Sequence, residues 1–205
     1  KEVMYCAKIV DEMIGKLQSG NGKIDKKNAE VVEEKAKILQ KLYASINDYF
    51  ASLYSGGVLT EEQASQSAGM QYILCDIDRI GQLTREIMET VAKQNKGKHK
   101  YSKEALRELK KAMEQIQMIY GSCIRAISGD VDIKELMRQK EDIMQLGEKM
   151  RKNHIARVGK GKCDSKLTIP FNDVLHNIDR IGNSCVNLVE VAKENVTMQA
   201  FFAED

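Results

Sequence analysis

Asp76-Ile77-Asp78-Arg79-Ile80-Gly81 recurs in this chain as Asn177-Ile178-Asp179-Arg180-Ile181-Gly182, 101 positions later. The chain has 205 residues, so the offset is close to half its length. The likeness extends beyond the stretch, since Leu74 matches Leu175 and Glu89 matches Glu190. Ile73, Ile77, Ile80, Thr84, Ile87 and Val91 step alternately by four and three, and Val174, Ile178, Ile181, Cys185, Leu188 and Ala192 take the same steps. A 3–4 spacing with a narrow seam is the pattern of a helix in an antiparallel bundle. The chain therefore reads as a tandem repeat of one helical unit, with a first half over 1–97 and a second over 98–205.

Working outward, the residues before the first copy divide into two further helices. Val3, Cys6, Ala7, Val10, Met13, Ile14 and Leu17 form one apolar face, closed by Ser19-Gly20-Asn21-Gly22. A second helix, from about Asp25 to Tyr54, has Val32, Ala36, Leu39, Tyr43, Ile46, Phe50 and Leu53 on one seam and breaks at Gly56-Gly57. Thr60-Glu61-Glu62-Gln63 is a capping box that opens the third helix, which fades at Lys96 to Lys100.

The second half repeats this plan. A helix over about Ser102 to Ile127 carries Leu106, Leu109, Met113, Ile116, Ile119 and Tyr120, and Ser128-Gly129-Asp130 turns the chain. Asp132 to Glu135 caps a fifth helix running to about Arg157, with Ile133, Leu136, Ile143, Met150 and Ile155 on its inner side. Gly159 to Thr168 is a glycine- and lysine-rich loop, and Pro170 suits the first turn of a sixth helix that reaches about Val196. The expected fold is all-α: six helices as two tandem three-helix antiparallel bundles.

Composition narrows the function classes. The formal charge is +2 with acids and bases interleaved, whereas nucleic-acid binders concentrate positive charge. The two dense basic runs, Lys93 to Lys100 and Arg151 to Lys162, fall at helix ends and read as solvated connectors. Nucleic acid is therefore not an expected partner. The longest apolar runs are too short to span a bilayer, so insertion of this segment into a membrane is not expected, and no signal-peptide pattern is present. The chain begins at Lys1 rather than methionine, which points to trimming or processing. Five cysteines, at 6, 75, 123, 163 and 185, lack any Cys-x-x-Cys spacing and read as reduced thiols in a cytosolic setting. His99, His154 and His176 are too scattered to specify zinc. There is no nucleophile elbow, phosphate-cradling glycine loop, His-Glu-x-x-His or Glu-x-x-His pair, so an enzyme is not expected.

Leu74 to Gly81, Leu175 to Gly182 and the run Arg151-Lys152-Asn153-His154-Ile155-Ala156-Arg157 together resemble the PhoU family. The resemblance covers nearly the whole chain and is strongest to the PhoU-like domains at the cytoplasmic C-terminus of bacterial sodium/phosphate cotransporters. The last run looks like the family's Arg-x-x-His-Ile-x-Arg stretch, and Cys163 falls where such tails often place a cysteine. The resemblance implies two three-helix bundles side by side and a role in regulating phosphate uptake and signalling rather than catalysis. It also implies iron or zinc clusters, held by acidic residues four apart on the second and third helix of each bundle. That spacing puts two carboxylates on one helix face.

This chain departs from the family pattern. The third helix has Asp78 followed four residues on by Gln82, and the sixth has Asp179 followed by Asn183. These four are the candidate metal positions, each pair lacking its second acid. Other acid pairs four apart, such as Glu30 with Glu34, Glu104 with Glu108 and Glu190 with Glu194, lie near helix ends and read as solvated. Asp78 and Asp179 flank the seam, either paired with Arg79, Arg180 or Arg85 on the helix surface or, with Arg79 and Arg180, making a ligand or partner contact. Gly81 and Gly182 inside helices each cost about 1 kcal/mol relative to alanine, which points to a close helix approach or to an open site above the backbone. His154, among Arg151, Lys152 and Arg157, reads as part of a solvated basic helix end, the alternative being a contact to an anion such as phosphate, which the exposed carbonyls of a helix C-terminus disfavour.

The functional expectation is a regulatory domain at the cytoplasmic face of the inner membrane, tethered to a sodium-dependent phosphate transporter and modulating uptake by protein contact. The alternatives are a free-standing PhoU-like regulator of phosphate ABC transport and signalling, a metal-binding helical protein, and a structural adaptor. The expected partner is the transporter part of the same polypeptide or a phosphate transport or signalling protein, and a homo-oligomer is compatible with the sequence.

Overall fold

The structure, a computed structural model, describes residues 1–18, 24–57, 59–127 and 133–194. Among the described residues it is built from α1 (Glu2–Gln18), α2 (Lys26–Ser55), α3 (Glu61–Lys96), α4 (Lys103–Ile127), α5 (Ile133–Gly159) and α6 (Thr168–Glu194), with a 3-10 turn over Ser165–Leu167. The expected turns at Ser19 to Gly22 and Ser128 to Asp130, the cap at Asp132 and the end of the last helix near Val196 lie outside the described residues. No helix among the described residues is long and apolar enough to cross a membrane.

Local chemistry accounts for the element ends. Asp25 accepts from the Asn28 N–H at 2.7 Å and caps α2. Thr60 and Gln63 form the full capping box, with bonds of 3.2 and 3.0 Å. Gly57 stops the chain after α2 with a φ of 62°, which favours glycine. The stretch between α5 and α6 is more ordered than a glycine-rich loop suggests, because Cys163 and Leu167 are both buried within it.

All twelve residues of the two repeated seams, on α3 and α6, are buried. So are the seven apolar residues read on α1. The outer helices bury less: on α2 only Val32, Leu39 and Phe50 are fully inside. On α5, Ile155 points outward and is 66% exposed, contrary to expectation. The reason is phase. Leu136, Ile143 and Met150 define a buried line that continues four residues on at His154, and Ile155 sits one step further round the helix.

Packing reflects the repeat. α1, α2 and α3 pack on one another, as do α4, α5 and α6. The halves meet through α1 with α4 and, most extensively, through α3 with α6. Both pairings join equivalent members of the repeat, so the halves face each other across an internal two-fold. Asp76 meets the Ser184 hydroxyl, while Asn177 donates to Glu86 at 3.0 Å. Position therefore rises along α3 as it falls along α6, and the repeated stretch crosses its own copy antiparallel. One continuous apolar core runs through both halves.

Candidate functional site

The first copy of the repeated stretch borders a cleft of about 240 Å³ between α2 and α3, lined by Gln40, Asp78, Gly81, Gln82, Arg85 and Glu86 among others. α3 brings Asp78 and Gln82 to one face because they are four apart. Asp78 is 8% exposed, and its carboxylate accepts a hydrogen bond from the Gln82 amide. Burial raises the Asp78 pKa above the usual carboxylate value, and the Gln82 bond opposes that rise. The expected arginine partner is not used. Arg79 is exposed, and Arg85 turns to Glu33 and Glu89, at 3.9 and 3.4 Å. A buried carboxylate with only an amide partner is costly to keep, which makes this cleft a candidate site.

The floor of the cleft explains one glycine. A Cβ at Gly81 would run into the Leu39 side chain and come within 3.3 Å of Val10 Cγ2. Close approach of α1 and α2 to α3 therefore favours glycine here, since any Cβ must displace the buried Leu39 side chain. Gly182 differs: a Cβ there would meet Lys140 Cγ at 3.8 Å and two isoleucine methyls at 4.0 Å, ordinary contacts. The expected close approach holds at Gly81 and not at Gly182, so the two copies are not equivalent. Asp179 and Asn183 are half-buried, and Arg180 is exposed.

The donor sets fit iron or zinc poorly. Asp78 and Glu86 are the two carboxylates lining the first cleft, Glu86 already accepts from Asn177, and among the described residues no three His, Cys, Asp or Glu side chains converge.

His154 also departs from expectation. It is 1% exposed rather than solvated. Its ring stacks on Phe171 at 4.6 Å between centroids, and it lies 3.1 Å from Thr168 Oγ1 and 3.9 Å from Cys163 Sγ. Burial and the nearby Arg157 lower its pKa, with Glu108 opposing, so the ring is neutral near pH 7. A neutral imidazole can accept from one neighbour and donate to the other. Glu108, read as solvated, instead accepts from Arg157 and Asn153, each at 2.7 Å. The Arg-x-x-His-Ile-x-Arg stretch thus splits by face: His154 locks α5 to α6, and Asn153 with Arg157 locks α5 to α4. Cys163 and His154 are both closed in, an arrangement that holds a corner rather than presenting a nucleophile.

Sequence reasoning did not assign roles to Asp76, Glu86 and Ser184. The signal was present in the repeat, because Asp76 and Asn177 are equivalent positions and both cross to the opposite half.

These features define a class by architecture: an all-α chain of two three-helix bundles joined through the repeated helices. Among solved structures, PhoU from Pseudomonas aeruginosa has this fold, with a TM-score of 0.80 over 96% of this chain and 94% of that one, at 11% sequence identity. The fold is PhoU-like. No known family model and no curated protein matches the chain by sequence.

Proposed function

We propose that this chain regulates phosphate uptake by protein–protein contact, as a domain at the cytoplasmic face of the inner membrane tethered to a sodium-dependent phosphate transporter. The PhoU-like fold over 96% of the chain supports the phosphate-regulator part of the reading; the tether and the sodium dependence rest on the resemblance of Leu74 to Gly81, Leu175 to Gly182 and Arg151 to Arg157 to cotransporter tails. The paired Asp-Arg-Ile-Gly stretches add to it. The mechanism is binding rather than chemistry. A partner surface held against a transporter shifts its conformational equilibrium by the difference in affinity for its two states, and by nothing else. The exposed arginines Arg79 and Arg180 flank the crossing of the two copies and are the proposed contact groups. Metal plays no part in this reading.

Fractionation of source cells, probed with an antibody against this domain, tests the tether. A band much heavier than 23.1 kDa in the membrane fraction supports it. A soluble band near that mass would overturn the tether and favour the free-standing regulator.

A further inference from the structure

The two halves close their ends differently. In the second half, the connection 97–102 that follows α3 carries Tyr101 onto the start of α6. Tyr101 is buried, with its ring 5.8 Å from that of Phe171, and Phe171 stacks in turn on His154. Phe171 is fully buried there, as is Met150, one turn before His154 on α5.

The repeat fixes the matching positions in the first half. On α3 and α6 it runs at 101 residues, so Met70 answers to Phe171 and Tyr72 to Asp173. On α2 and α5 the buried pairs Val32 with Leu136 and Leu39 with Ile143 set it at 104, so Ile46 answers to Met150 and Tyr49 to Asn153. This corner is apolar and open. Met70 and Ile46 pack on the core but are only half-buried, and Tyr72 and Tyr49 are 66% and 61% exposed. In the second half, Asn153 faces α4 through Glu108, and Asp173 lies close enough to Tyr101 to help raise its hydroxyl pKa. The two exposed tyrosines therefore stand where the second half has its cover. Apolar and aromatic surface grouped in this way is stabilised by whatever takes it out of water.

The same offset identifies the cover. The residue 101 positions after Tyr101 is Phe202, preceded by Phe201, in the segment 195–205 that follows the described end of α6. α6 delivers that segment to the correct place. Asp76 meets Ser184 and Glu86 meets Asn177, so on this antiparallel crossing the end of α6 lies level with the part of α3 just before Met70. A tethered segment also acts at a high effective concentration, an advantage that a separate partner lacks.

We propose that residues 195–205 fold back on the first half, with Phe202 seated on Met70 as Tyr101 is seated on Phe171, and with Tyr49 and Tyr72 flanking it. The chain then closes both corners itself, and this aromatic surface is an internal contact rather than a partner site. The inference rests on the repeat and stands apart from the transporter reading.

The chain has no tryptophan, so Phe202→Trp places a single fluorescent reporter in the full chain. Its emission is expected to be blue-shifted, and its quenching by acrylamide several-fold weaker, relative to a peptide of residues 190–205 carrying the same substitution. Adding Met70→Glu puts a carboxylate under the ring and should return both readings to those of the peptide. Tyr72→Ser, at an exposed position, should weaken the shielding by a smaller factor while circular dichroism shows the helical content unchanged. Emission and quenching equal to those of the free peptide would overturn the proposal and leave the corner to a segment of another molecule. Shielding indifferent to both corner variants would overturn it by seating the ring elsewhere. Shielding lost on dilution would overturn it in favour of a second copy.

Discussion

Tyr120 of α4 donates its hydroxyl to the carbonyl of Ala7 on α1 at 2.8 Å, and Tyr120 is fully buried. The bond joins the two halves 113 residues apart in sequence, inside the shared core. Tyr120→Phe leaves that bond unmade and is expected to cost about 1 kcal/mol. Because the core is continuous, the variant should still unfold in one transition. Chemical denaturation followed by circular dichroism checks both expectations, and two separate transitions would contradict the shared core.

The glycine pair gives a prediction of opposite signs. Gly81→Ala must displace Leu39 and crowd Val10, so it is expected to destabilise by about 1–2 kcal/mol even after the gain in helix propensity. Gly182→Ala meets ordinary contacts and should stabilise by up to about 1 kcal/mol. Melting temperatures of the two variants provide the comparison, and a shift in the same direction would show that the copies are equivalent after all.

Asp78 carries a pKa raised by burial, so its ionised form weighs against the folded state. Asp78→Asn keeps the shape and an acceptor for Gln82 and is expected to be more stable than the parent at neutral pH. Below the raised folded-state value the parent's own carboxyl is protonated, so the gap should shrink as pH falls toward the ordinary aspartate range. Unfolding free energies across acidic pH test this. A variant less stable than the parent at pH 7 would show that the carboxylate has a stabilising partner.

His154 titrates in the other sense. Its folded-state pKa lies below the unfolded value of 6.5, so the unfolded chain takes up the proton first. Stability is therefore full above that value and lost as pH falls from it toward the folded-state value. His154→Gln should flatten this part of the stability profile. An unchanged slope would mean that another group is responsible.

The repeat and its seams were legible because helical burial imposes a period on nearby residues, and every seam position on α3 and α6 is buried as read. His154 and Ile155 invert what residue type alone suggests, because helix phase decides: the polar residue holds the inner position, and the apolar one faces out. The Asp78–Gln82 contact is local, four residues apart, and could be read. Tyr120 with Ala7, Asn177 with Glu86 and Arg157 with Glu108 could not, because those pairings depend on the register between helices distant in sequence. The difference between Gly81 and Gly182 is likewise set by side chains on other helices, Leu39 and Val10 in one half and Lys140 in the other.

The most direct test of the regulatory reading is sodium-dependent uptake of radiolabelled phosphate in source cells from which this domain has been deleted, with the full-length gene as control. The account predicts an altered initial rate that is restored when the domain is supplied, and restored poorly when Arg79 and Arg180 are both replaced by alanine. Uptake unchanged by the deletion at both low and high external phosphate would contradict it.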